Sequence, residues 1–221
     1  MYFLYFLQLL NIIIAFFTIV MGLRAFKNLK ENKVLLLIPV LSLFQIIFTE
    51  LMRLVRKIEF STFTSNLISL YIYSEFILIF LYFWSLNKNL TQKAFTISLI
   101  PIGIISLIIS QYSLDYSKPM KLDIFVIIEG PIILIIALLF IIEIINKRKI
   151  KKYTKDSDLM ATLGIFFSFI ISWPTMIIQN NILKYSSPFI KLCFIYNTIA
   201  YIIFFSLLSY SFYVTRKFRI V

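Results

Sequence analysis

The chain has 221 residues, of which 61% are hydrophobic and 14% charged, with a net charge of +12 and a mean hydropathy of +0.94. Soluble domains carry roughly 45–50% apolar residues, so a water-soluble fold is excluded and an integral membrane protein is expected. Histidine is absent and Cys193 is the single cysteine, which excludes Ser-His-Asp chemistry, zinc hydrolysis, internal disulfides and thiolate metal clusters.

Four glycines and six prolines are too few for the turns of a barrel. The apolar runs are also continuous where barrel strands would alternate, so the spans are helices. Runs of about 18–25 residues, the length a bilayer core requires, occur seven times, at residues 2–23, 34–55, 66–86, 95–112, 124–146, 159–183 and 192–213. The expected fold is therefore all-α and polytopic, a single seven-helix transmembrane domain over residues 1–221. The first run has neither a basic leader nor a small-residue cleavage site and reads as a retained span.

The basic residues set the expected orientation. With the amino terminus outside, 15 of the 22 lysines and arginines fall on the cytoplasmic side. That bias predicts an external amino terminus and a cytoplasmic carboxyl terminus. The densest segment, from Lys147 through Arg148, Lys149, Lys151 and Lys152 to Lys155, reads as a topology determinant. It is also where an acidic membrane or cytoplasmic partner would dock. Membrane topology accounts for the positive charge, and no nucleic-acid partner is needed.

Polar residues inside the spans mark the candidate site. Gln8 and Asn11 lie three apart in the first span, and Glu50 lies near Arg53 at the outer end of the second. In the third span Tyr71 and Glu75 share a helix face, with Glu75 about 14 Å from the outer end. A carboxyl at such a depth costs at least a few kcal/mol facing lipid, so it turns inward to partners, water or a ligand. Glu129, about 8 Å into the fifth span, precedes Gly130-Pro131, and Trp173-Pro174 interrupts the sixth. Each proline frees a carbonyl one turn earlier.

Ser168, Ser172, Thr175 and Gln179 fall on one face of the sixth span and read as small-residue helix packing with interhelical hydrogen bonds. Asn197 and Tyr201 share a face of the seventh. The strongly polar groups thus gather toward one side of the membrane, which predicts an outward-facing polar cavity around Glu75, closed below by an apolar plug.

Tyr71, Tyr73, Glu75 and Phe76, together with Asn197 and Tyr201, carry a resemblance to a family of uncharacterised seven-helix inner-membrane proteins of Bacteroidota. Those proteins have a Tyr-rich stretch ending in Glu-Phe in the third helix and an Asn followed four residues later by Tyr in the seventh. The resemblance implies a cytoplasmic-membrane location and seven helices, and it implies no chemistry. A retinal cofactor is excluded because the seventh span holds no lysine inside it, Lys191 lying at its outer edge. No cofactor or metal is expected.

The functional expectation is a receptor-like or scaffold protein binding a small ligand, lipid or partner helix around Glu75. A small-solute transporter of three-plus-one-plus-three design is the alternative. An intramembrane lipid-modifying enzyme would require Glu50, Glu75 and Glu129 to converge as acid and base.

Overall fold

The computed structural model describes residues 2–29, 31–56, 62–86, 105, 124–147, 156–182 and 187–218. Among these residues every regular element is helical. They comprise α1 (Tyr2–Ala25), a 3-10 turn (Glu31–Leu36), α2 (Leu37–Arg56), α3 (Thr62–Leu86), α4 (Ile124–Lys147), α5 (Ser157–Ile182) and α6 (Ser187–Phe218). Six of the seven expected spans correspond to these helices. The fourth, residues 95–112, lies outside the described residues except for Ile105, which is helical and exposed.

Local chemistry explains several helix ends. The Asp156 carboxylate accepts hydrogen bonds at 3.0 Å from the backbone N–H groups of both Asp158 and Leu159. It thereby caps α5 and satisfies two of its orphan donors. Pro39 falls in the first turn of α2, where its missing N–H has no acceptor to lose. The last turn of α6 carries Arg216 and Lys217, cations that complement the negative end of the helix. This helix runs further at both ends than the expected 192–213.

Among the described residues, four helices are long and apolar enough to cross a membrane, through Tyr5–Ala25, Ile127–Asn146, Ser157–Ile177 and Lys191–Lys217. Shorter apolar stretches cover Lys33–Phe48 and Leu70–Leu86. The distribution of side chains on α1 supports a lipid surround. Its buried face is Leu7, Asn11, Ala15, Thr18, Gly22 and Ala25, whereas Phe6, Leu9, Ile13, Phe16 and Phe17 point outward. Bulky apolar groups outside and small or polar ones inside is the pattern of a helix in lipid, where close backbone approach drives packing.

The bundle is organised around α6. This last helix packs most extensively on α5 and next on α1, and its Phe204, Phe205, Leu208 and Phe212 are fully buried. Gly164 permits the close approach of α5, since a Cβ there would lie 3.2 Å from Leu207 Cβ and 3.3 Å from the Phe204 carbonyl.

Contacts along the helices fix their relative sense. Ser157 meets Ser211 while Thr175 meets Asn197, so α5 and α6 are antiparallel. Glu75 and Glu129 lie at one level, and Phe83 and Phe140 pack further along with ring centroids 5.8 Å apart. The consecutive described helices α3 and α4 therefore run in the same direction.

Candidate functional site

Four helices converge on one small cavity. Glu75 enters from α3, Glu129 from α4, Ser168, Ser172 and Trp173 from α5, and Tyr201 from α6. Both carboxyls are more than nine-tenths buried. The cavity leaves about 20 Å³ open to the centre of a water molecule. That is room for a water-sized guest, whereas pockets for drug-sized ligands span about 300–1,000 Å³.

Glu75 is held by tyrosines. The Tyr201 hydroxyl donates to Glu75 Oε2 at 2.9 Å, and the Tyr71 ring lies against Tyr201 with centroids 6.2 Å apart. Tyr71 is itself buried, and its hydroxyl sits among Glu75, Tyr201 and Ser42 of α2. It meets the geometry of a hydrogen bond to none of them.

Trp173 closes one wall. A Cβ on Gly130 would overlap the indole of Trp173 at its Cγ, Cδ1 and Nε1, so the absence of a side chain at 130 lets the ring lie on the α4 backbone beside Glu129. Both residues sit next to helix-interior prolines, Pro131 and Pro174. Beyond the cavity the space between the helices is filled by Ile79, Phe83, Ile136, Phe140, Ile165 and Phe205. All six are apolar and buried.

The expected site residues divide into three groups. Glu75, Glu129 and Tyr201 line the cavity, with Tyr71 directly behind Glu75. Three others are described but stand away from it. Gln8 is half-buried on α1. Asn11 lies on the α1 face toward α6, and its Oδ1 has no hydrogen-bond partner among the described residues. Asn197 accepts a short hydrogen bond from the Thr175 hydroxyl. The side chains of Glu50, Arg53 and Gln179 lie outside the described residues, as does the basic segment beyond Lys147.

The serine and threonine stripe of α5 splits between two roles. Thr175 makes the interhelical hydrogen bond expected of packing, but Ser168 and Ser172 line the cavity. Ser168 spends its proton on the Ile165 carbonyl at 2.8 Å, leaving its oxygen lone pairs able to accept. The four-residue step from 168 to 172 and on to Met176, another lining residue, was the available signal. Trp173 and Gly130 had none beyond their prolines.

Comparison with known proteins finds no matching family model, curated protein or solved structure.

Proposed function

We propose that this is a seven-span inner-membrane protein, external at its amino terminus, that binds a small ligand in the Glu75 cavity and acts as a receptor-like or scaffold protein. The observation that carries the reading is the convergence of two buried carboxyls, a phenol and two serines from four helices on one partly empty space. Such groups are costly in a bilayer unless they serve a site. The aromatic and aliphatic residues that fill the bundle beyond it support a one-sided binding cavity over a continuous path.

The seventh span is supported by helix sense. Two successive helices that cross a bilayer in the same direction need a further crossing between them, and α3, with its apolar stretch Leu70–Leu86, runs in the same direction as α4. Residues 95–112, the fourth apolar run, lie in the connecting segment, which is long enough to supply it at about 1.5 Å per helical residue. Orientation rests on the bias of basic residues. A reporter fused after Val221 is expected to be cytoplasmic, and Ser117→Cys is expected to react with impermeant thiol reagents from outside. Labelling only after lysis would reverse the orientation and make the cavity open inward.

Binding is tested with purified protein in detergent, by thermal unfolding in the presence of alkali cations, simple amines and small neutral polyols. At least one class should raise the melting temperature of the parent and leave that of Glu75→Gln unmoved. Stabilisation by none of them, or equal stabilisation of both proteins, would make Glu75 a structural carboxyl and end the binding reading. Uptake of the stabilising solute into protein-loaded vesicles would favour the transporter over the receptor.

A further inference from the structure

Where α1 and α6 run side by side, they leave an outward-facing groove with a charged end. The two helices are parallel, since Thr18 meets Phe205 and Ser209, and Gly22, one turn on, lies against Phe212. Counting about 100° per residue from the Thr18–Ser209 contact puts Phe17 and Arg24 of α1 on the same side of the pair as Tyr210, Tyr213 and Lys217 of α6. Arg216 is two turns beyond Ser209 on the same face, so it ends the seam between them. All six of these side chains are exposed. The groove is therefore aromatic along its length and basic where the two helices finish.

Depth and packing join these groups into one surface. Arg24 stands two residues past the level of Gly22 and Phe212, and Lys217 stands five, a difference of about 5 Å at about 1.5 Å per residue. Lys217 Nζ donates to the Tyr213 hydroxyl at 3.3 Å and lies 5.6 Å from the centre of that ring. The Tyr210 and Tyr213 rings are 6.2 Å apart. Exposed tyrosines followed by cations mark the depth at which a bilayer changes from chains to headgroups. Neither α1 nor α6 contains an aspartate or glutamate, so an anion entering the groove meets no like charge on its walls.

We propose that this groove binds one anionic phospholipid, its phosphate held by Arg24 and Arg216 and its chains lying along Phe17, Tyr210 and Tyr213. Guanidinium groups match phosphate oxygens in a two-pronged geometry, and the exposed rings give hydrocarbon a surface that a soluble anion would leave unused. A second copy of this chain is a poorer occupant. A two-fold contact through this face would set the same cations against each other. The proposal does not depend on the reading of the Glu75 cavity.

Native mass spectrometry of the full chain released from detergent micelles counts bound lipids directly. Titration with phosphatidylglycerol is expected to give a tight one-to-one adduct that phosphatidylcholine does not give. Arg24→Gln and Arg216→Gln together should weaken phosphatidylglycerol binding about thirtyfold, about fivefold for each charge removed, from about 1 kcal/mol per basic residue at a membrane surface. Lys33→Gln is the control for general attraction. Lys33 belongs to the same end of the bundle but is seated over the Phe26 ring, 4.9 Å from its centre, and its loss should leave the affinity unchanged.

Thermal scans establish that each variant is folded. If the double variant does not fold, the single variants replace it, each expected to lose about fivefold. Equal binding of phosphatidylcholine, an equal loss in Lys33→Gln, or full affinity in the folded arginine variants overturns the proposal. So does displacement of the lipid by inorganic phosphate but not by chloride of the same ionic strength, which would make the site one for a free anion. A protein dimer in place of the lipid adduct would assign the face to a second copy and overturn it as well.

Discussion

Two polar layers cross the bundle, and they solve the same problem in opposite ways. In the layer toward the start of α5, hydroxyls bond mostly to backbone carbonyls. Thr18 on α1 reaches the Phe205 carbonyl at 3.0 Å and Ser209 Oγ at 2.6 Å. Tyr82 donates to the Asp158 carbonyl at 3.1 Å, and Ser211 to the Ser157 carbonyl at 2.7 Å. These bonds tie α1, α3, α5 and α6 together. In the Glu75 layer the groups are carboxyls and phenols, one hydroxyl lacks a bond, and space remains. Polar residues in a membrane bundle thus do not identify a site by their presence. Their satisfaction and the volume beside them do.

The sharpest way to break the contrast is to fill the cavity layer at its tightest contact. In Gly130→Ala the new methyl meets Trp173 at the root of its ring, so the whole indole must move. A loss of up to about 3 kcal/mol is expected, the upper part of the range for overpacking. Thermal denaturation and a shifted Trp173 emission in a Trp84→Phe background report it. Unchanged melting and emission would mean that the α4–α5 contact is looser than described.

Removing the carboxyl tests whether the phenols depend on it. Glu75→Leu leaves the Tyr201 hydroxyl without its acceptor, a loss of about 2 kcal/mol for an unsatisfied buried donor. Glu75→Gln keeps an acceptor oxygen and should melt close to the parent. If leucine were tolerated as well as glutamine, the tyrosines would have other partners and Glu75 would not organise this layer.

The smallest effect is expected in the satisfied layer. Thr18→Val removes one hydroxyl from the α1–α6 contact while keeping its shape. Interhelical hydrogen bonds in membranes average about 0.6 kcal/mol, so the melting temperature should fall slightly. A fall larger than that of Glu75→Leu would invert the contrast between the two layers.

The sequence by itself determined the class of the protein, the positions of six helices and the inward placement of Glu75. All three rest on quantities local to the chain. A span needs a run of apolar residues of set length, and a carboxyl in that run has nowhere inexpensive to face except inward. The tertiary structure decided which inward-facing groups meet. It joined Glu129 to Glu75, left Gln8 and Asn11 on another face, paired Asn197 with Thr175, divided the α5 stripe, laid Trp173 over Gly130 and made α6 the hub. These outcomes depend on how each helix is rotated about its axis and which neighbour it meets. In water, the contrast between apolar and polar faces would reveal that rotation. In a bilayer the lipid is as apolar as the core, so the rotation is set by close packing and by a few buried hydrogen bonds whose partners lie up to 191 residues away along the chain.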